Sequence, residues 1–528
     1  MKIHFFVFAC LLLCLATNVS ALAQVNATLT GTVSDASNAL IPGVLITAKN
    51  NATGIVTTHL TNESGTYDFQ SLQPGTYVIS ASLTGFQNSA FNDVSLGQGQ
   101  QVRLNFKLKV ASAGQIVEVV EAADTLLAAT SASVGNVLPD SVVQDLPLSS
   151  RNVLDLVGTT PGVVTTVNAF GGNVQSFGGT PFSQVNTTRD GLVTNDGRYN
   201  NSNGAYSAVY TSPDMVEEVR ITANNVDPAL GRGSAQVQLR TRAGGNSFHG
   251  ALFYTNNNSA LSTNTWFQNL SGAPKSYRNR NQFGGRLGGP IIKNKAFFFV
   301  LVDNQRYLEK QDFVATVLTA EARQGIFRYL TEGTPGGTSR RNGNVNSATP
   351  SVNLNGQTLT VNPVNGAPLF LNSFNLFSDV KDPNRPAIDP VWFGPQNLTR
   401  LPLPNDWTAG DGLNTAGFRW RQPHAGLDGA TGQSQNTNRN ALTLRFDYTL
   451  NDKNKLTFTM SREKDWGVTG QTGLPDVPAG EFGDVKRVPD FYTASWTSTI
   501  SSTILNEFRF GLKRDTWQGT SPLDKGCC

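Results

Sequence analysis

The sequence predicts a mainly β chain in three parts: an N-terminal β-sandwich, an α+β segment, and the first strands of an antiparallel β-barrel that crosses a membrane. Three observations lead there. Only 15% of the 528 residues are charged while Gly reaches 51. An ordinary soluble domain is about one quarter charged, and Gly with recurrent Asn, Thr and Ser belongs to strands and turns rather than helices. Apolar and polar residues alternate with period two over long runs in the second half, as in a strand with one apolar face. The connections between those runs alternate between short and long, the habit of bacterial membrane barrels. The net charge of +3 is spread along the chain; without a block of Lys or Arg to track phosphates, no nucleic-acid partner is expected.

Residues 1–23 read as a signal peptide. Lys2 supplies a positive start, residues 5–15 a short apolar core, and Ala21, Leu22 and Ala23 an A-x-A site with cleavage between Ala23 and Gln24. The apolar run is too short to cross about 30 Å of hydrocarbon as a helix. Cys10 and Cys14 lie inside that core, and Cys14 follows Leu13 where a lipoprotein would want a small residue. After cleavage only Cys527 and Cys528 remain. Adjacent cysteines bridge each other only with strain and offer no metal-ligand spacing, so no cofactor is expected. The pair reads as an artificial or truncated terminus.

Residues 24–112 form the expected sandwich. Short alternating runs recur at 27–33, 44–49, 54–60, 67–69, 77–82 and 102–108, separated by turn signals at 35–38, 41–43, 62–65 and 73–75. That spacing suggests two packed antiparallel sheets. The string GTVSDASNALIPGVLITAKNNATGIVTTHLTNESGTYDFQSLQPGTYVISASLTGF (residues 31–86) resembles the carboxypeptidase regulatory-like domain, a transthyretin-like sandwich. Gly65 and Gly75 suit tight turns, and Tyr67, Phe69, Tyr77 and Val78 suit core or cross-strand positions. A zinc carboxypeptidase would need H-x-x-E and a second His. None of His4, His59, His249 and His424 has Glu three residues on, so a module and not an enzyme is expected.

Residues 113–245 mix signals. Residues 141–146 and 152–156 could start short helices, with Ser149 or Ser150 as a cap. Glycine-rich loops follow at 169–180, and 215–223 and 235–241 read as strands. The strings VEVVEAADTLL and LPLSSRNVLDLVGTTPGV within 117–163, RDGLVTNDGR (189–198) and VEEVRITANNVDPALGRGSAQVQLRTRAGGNSFHG (216–250) resemble, in order and spacing, the plug of TonB-dependent outer-membrane proteins of the Oar-like group.

Residues 246–528 carry the barrel pattern. Leu442, Leu444, Phe446, Tyr448 and Leu450 point one way, and Thr443, Arg445, Asp447 and Thr449 the other. Leu456, Phe458 and Met460 oppose Thr457, Thr459 and Ser461; Phe508, Phe510 and Leu512 oppose Glu507, Arg509 and Lys513. In a membrane barrel the apolar face meets lipid and the charged face the lumen. Strands are expected near 247–256, 281–290, 296–306, 439–450, 455–464, 490–501 and 503–515, with short links at 291–295, 451–454 and 501–502. A plug entering from the periplasm puts the short turns there and the long links outside. NQFGGRLGGPIIKNKAFFFV (281–300) also resembles the opening strands of Oar-like barrels.

Other motifs read as structure. Glu217 and Glu218 are neighbours on a strand, face opposite ways, and cannot pair as acid and base. Gly284, Gly285, Gly288 and Gly289 sit on a strand, where Gly allows a bend or close approach of the plug. Gly231-Arg232-Gly233 lacks the third glycine of a nucleotide loop, and Asp190-Gly191 and Asp196-Gly197 read as turns. The segment Ile116, Val117, Glu118, Val119 and Val120 resembles a TonB box, which works by adding a strand to a sheet edge of the partner; a linker or first plug strand is the plain alternative. Residues 307–438 and 465–489, rich in Asn, Gly, Pro and Ser, with Trp392, Trp407 and Trp420, are expected outer loops without clear strands beyond small hairpins.

The resemblance implies a transporter or receptor in the cell outer membrane with its sandwich in the periplasm. Its implied partners are outer-membrane lipid, the TonB energising complex, the barrel-assembly machinery and an extracellular ligand such as a carbohydrate or peptide. The alternative is a carbohydrate-binding or adhesion surface protein without active transport. A lumen holding a plug needs about 22 strands, so the sequence suggests an incomplete, C-terminally truncated barrel.

Overall fold

The computed structural model describes residues 26–520 apart from 111–118, 123–127, 130–133, 139, 147, 149–150, 168–172, 196–204, 225, 227–232, 272–274, 378–397, 399–400, 424–436, 469–483 and 502–503. The sandwich is built from β1 (Ala27–Ser34), β2 (Leu45–Asn50), β3 (Val56–Leu60), β4 (Thr66–Leu72), β5 (Gly75–Ser82), β6 (Ser89–Leu96), β7 (Gln101–Arg103) and β8 (Phe106–Lys107). Two short strands, β9 (Val119–Ala122) and β10 (Ala128–Ala129), follow. One sheet runs β3-β2-β5-β6-β9; the other runs β10-β7-β1-β4, with β8 also on β1. Alternate residues of β1, β4 and β5 enter a common core with Leu29, Ile46, Phe69, Ile79, Phe91 and Phe106, as period-two strands with one buried face require. At Gly31 the backbones close up: a Cβ there would lie 1.8 Å from the Leu104 carbonyl oxygen, which accepts the Tyr67 hydroxyl at 2.6 Å.

β6 is an addition to the sequence expectation. Asp93 takes a left-handed conformation (φ 55°) and the β5–β6 register shifts between Tyr77 and Ile79. Asn92 and Asp93 therefore both face outward, and such a bulge erases the alternation that marks a strand.

The plug holds β11 (Val134–Leu138), a short helix Asp140–Asp145, a 3-10 helix Val153–Thr159, and β12 (Val163–Val167) paired with β13 (Asn173–Phe177). β14 (Val185–Arg189), β15 (Leu192–Val193), β16 (Val216–Asn224) and β17 (Ala235–Thr241) complete it. Its main sheet is ordered β11-β16-β17-β14-β15, with β14 and β17 parallel. The cap of the 3-10 helix is Asn152, whose side chain accepts from the Leu154 amide at 3.1 Å. That corrects the expected Ser149 or Ser150, which lie outside the described residues; the helix begins later, so the cap moves with it. Asp190 (φ 48°) and Gly191 (φ 80°) make the expected turn between β14 and β15.

The wall consists of β18 (His249–Asn258), β19 (Tyr277–Ile292), β20 (Ala296–Leu318), β25 (Asn438–Asn451), β26 (Asn454–Val468), β27 (Asp484–Thr499) and β28 (Leu505–Thr520). They pair antiparallel in that order, with short turns at 293–295 and 452–453 and a short link between Thr499 and Leu505. Outward Phe508, Phe510 and Leu512 are more than half exposed, while inward Arg445 and Asp447 are buried. A protein with charges inside and phenylalanines outside is built for lipid rather than water.

The long connection departs from expectation. β20 continues past residue 306 to Leu318 and pairs with β24 (Thr415–Pro423). β21 (Ile326–Glu332), β22 (Arg340–Arg341) and β23 (Leu369–Asn375) form a separate sheet over a small core of Leu330, Val352, Leu369 and Leu413. Beyond residue 306 both faces of β20 carry polar groups, so period-two reading loses it there.

Candidate functional site: plug, lumen wall and sandwich

Alternation along each wall strand delivers every second side chain to the lumen, and the plug occupies that concave face. Arg439 pairs with Asp303 at 3.1 Å, both within 2% of full burial, and its guanidinium lies over the Tyr210 ring, 3.4 Å from the centroid. Gln282 donates to the Asp303 carboxylate at 3.1 Å and to the Tyr210 hydroxyl oxygen at 3.2 Å. The Tyr210 amide donates to Glu463 at 2.9 Å. Buried charges persist only where partners and hydrogen bonds replace water, and here the wall's charges find those partners on the plug.

Two more arginines repeat the arrangement. Arg487 donates to Asp515 at 2.8 Å, to the Ala208 carbonyl at 2.6 Å and to the Tyr206 hydroxyl oxygen at 3.2 Å. Arg445 is bidentate on Asp447 (2.8 and 3.0 Å) and reaches the Thr241 carbonyl at 2.5 Å. Lys513 donates to the Asn195 carbonyl. From the plug side, Arg189 stacks on wall residue Phe491 at 3.8 Å and Asp214 faces wall residue Arg286 at 3.4 Å. One apolar seam joins the two bodies, where Phe299 and Leu301 of β20 enter the plug core. The plug is therefore held by many directional polar contacts to its backbone and side chains beside that apolar seam, a form of attachment that breaks bond by bond.

Beneath the plug lies a small polar chamber of about 40 Å³ lined by Asn26 and Gln73 of the sandwich, Arg240 of the plug, and Arg445, Lys455 and Arg509 of the wall. Glu217 and Glu218 diverge as expected. Glu217 faces Arg240 at 3.6 Å, while Glu218 accepts from the Gln98 amide at 3.1 Å. Burial pushes the Glu218 carboxyl up, opposed by Arg240 and that amide.

Ala23 and Gln24 lie outside the described residues, as do Ile116, Val117 and Glu118. Val119 and Val120 open β9, paired parallel with Ser89 and Ala90 of β6. Trp392 is outside the described residues; Trp407 packs on the small loop core, and Trp420 stacks on Phe418 at 5.7 Å. At Gly288 an added Cβ would fall 3.5 Å from the Gly244 Cα, an ordinary van der Waals contact that does not require glycine. Tyr206, Tyr210, Arg439 and Arg487 had no signal in the sequence, because their partners are about 20 to 280 residues away. Inward-facing Arg445 and Asp447 were legible from alternation alone.

The chain's residues 240–527 match the model of the Outer membrane beta barrel domain family, and residues 28–109 match the Carboxypeptidase regulatory-like domain. A curated relative, the TonB-dependent transporter Oar of Myxococcus xanthus, is 27% identical over 303 residues, covering 53% of this chain and 27% of that protein. Among solved structures, a ferric enterobactin receptor from Pseudomonas aeruginosa matches at TM-score 0.37 and 10% identity, over 72% of this chain and 40% of its own. The outer membrane transporter YddB from Escherichia coli matches at TM-score 0.37 and 11% identity, over 72% and 38%. The chain thus spans about a quarter of the length of the curated relative and about two fifths of those structures. With more than half of its residues matched by one family model, the chain belongs to the Outer membrane beta barrel domain family.

Proposed function

We propose that this chain is the N-terminal portion of a TonB-dependent outer-membrane transporter, which captures a ligand at its long-loop end and admits it when the plug is rearranged. The observation that carries this reading is the plug itself: a folded domain on the inner face of the wall, fastened by Arg439, Arg445 and Arg487 to Tyr210, Thr241, Tyr206 and Ala208. A permanent filler would be fixed more cheaply by apolar packing, since buried ion pairs contribute little net stability. The likeness to a TonB-dependent transporter over 303 residues supports the same assignment. In it the sandwich is periplasmic, residues 116–120 are the segment that TonB engages, and no covalent chemistry is involved.

The test is a binding measurement. Full-length protein should bind the purified periplasmic domain of TonB, and Val119→Pro with Val120→Pro should weaken that binding at least about tenfold, because Pro removes the donors that strand addition uses. Equal binding by the double variant removes this segment from the mechanism. Recovery of the full-length protein in a soluble fraction contradicts the reading as a whole.

A further inference from the structure

We propose that the N-terminal sandwich is a releasable lid that closes the short-turn mouth of the barrel beneath the plug. It deepens the transporter reading and rests on it for its purpose, though not for its geometry.

The sandwich is bonded to the barrel at two places on the short-turn side and faces the other two turns across a cleft. On one rim Asn246, just ahead of β18, donates from its backbone to the Ala52 carbonyl at 2.9 Å and from its side chain to the Thr53 carbonyl at 2.5 Å. The same side chain exchanges bonds with Asn294 in the 293–295 turn, at 2.6 and 2.8 Å. Across the mouth, Asn26 reaches Thr497 of β27 at 3.4 Å. Between them, Thr58, His59 and Gln70 of the sandwich share a cleft with Asp452 and Lys453 of the second turn and Ser501 of the third. The polar chamber described above is thereby roofed on the short-turn side by Asn26, Gln73 and Pro74.

The attachment is built for release. The sandwich core contains residues 27–108 alone, and the plug core joins the wall instead; among the described residues no apolar cluster bridges sandwich and barrel. Hydrogen bonds at such a junction are exchanged for bonds to water when it opens, so each holds weakly. The Gln98 side-chain amide is buried yet has no hydrogen-bond partner among the described residues, a mark of an interface not optimised for permanence.

The lid also touches the plug. The Gln98 backbone N–H donates to the Glu218 carboxylate at 3.1 Å, and Arg220 donates to the Gln98 backbone carbonyl. Glu218 and Arg220 both belong to β16, an interior strand of the plug sheet. A shift of that strand breaks both bonds at once, so rearrangement of the plug loosens the lid.

Three cysteine variants of full-length protein with Cys527 and Cys528 changed to Ser test this without any ligand. Asn26→Cys with Thr497→Cys reports docking: in outer membranes the pair should oxidise and keep the sandwich linked to the barrel after proteolysis of the 111–118 connection. Ala52→Cys with Gly245→Cys repeats the test at the other rim, where an added Cβ at Gly245 lies 3.7 Å from that of Ala52, close to the disulfide mean of about 3.8 Å. Ser495→Cys in the chamber reports closure. A bulky hydrophilic maleimide should label it slowly in purified protein, and Asn246→Ala should raise that rate at least about fivefold by favouring the open form. Failure of both pairs to link overturns the docked lid. Linking with a labelling rate indifferent to Asn246→Ala overturns its release. Either failure leaves the TonB-binding result, and so the transporter reading, standing.

Discussion

Arg439 shows what a single residue does in this protein. It sits in the lumen, fully buried, with Asp303 on the neighbouring strand and the Tyr210 ring of the plug beneath its guanidinium. Arg439→Ala leaves the Asp303 charge buried with Gln282 as its remaining hydrogen-bond donor, a loss of about 3–5 kcal/mol for a broken buried pair. Asp303→Asn with Arg439→Gln should recover much of it, since two neutral amides do not strand a charge. The measure is the temperature at which the barrel loses its compact mobility on an unboiled gel. Gly31 gives the opposite kind of case. Gly31→Ala drives a methyl into the Leu104 carbonyl and should cost the sandwich about 3 kcal/mol by overpacking, read by urea unfolding followed at the sandwich tyrosines. Neither residue could be singled out from the sequence, because each is defined by a neighbour far along the chain.

At the scale of elements, the sequence was far more legible. Period-two alternation located all the wall strands, because each has a lipid face and a lumen face that demand opposite side chains. It lost the bulged β6, where Asn92 and Asp93 share a side, and the far half of β20, where both faces are polar. It also missed the sheet of β21, β22 and β23, whose core is only a few residues. β16 links the plug to the sandwich, and its Glu218 makes that link pH-dependent. Burial raises the carboxyl above its ordinary value, so between that ordinary value, about 4.3, and the raised one the folded chain holds more protons than the unfolded chain. Stability at this element therefore falls as pH rises through that window and recovers as pH is lowered. The protection of β16 amides, taken relative to their intrinsic exchange rate at each pH, should rise toward the acidic end, and Glu218→Gln should flatten that trend; a trend in the other direction contradicts the assignment.

For the whole molecule, three bodies are stacked along one axis: long-loop structure, plug within the wall, and sandwich against the short turns. Which wall connections share an end was readable from link lengths, whereas the docking of the sandwich was not, since it rests on scattered backbone bonds at Ala52, Thr53 and Gln98. The proposed transport mechanism requires the long-loop end to face the cell exterior. Lys453 lies exposed in a short turn and Leu354 is 78% exposed in the long connection. In intact cells making full-length protein, a membrane-impermeant maleimide should label Leu354→Cys and leave Lys453→Cys unlabelled until the outer membrane is opened. Labelling of Lys453→Cys in intact cells, with Leu354→Cys protected, would contradict the proposed orientation and the transport mechanism built on it.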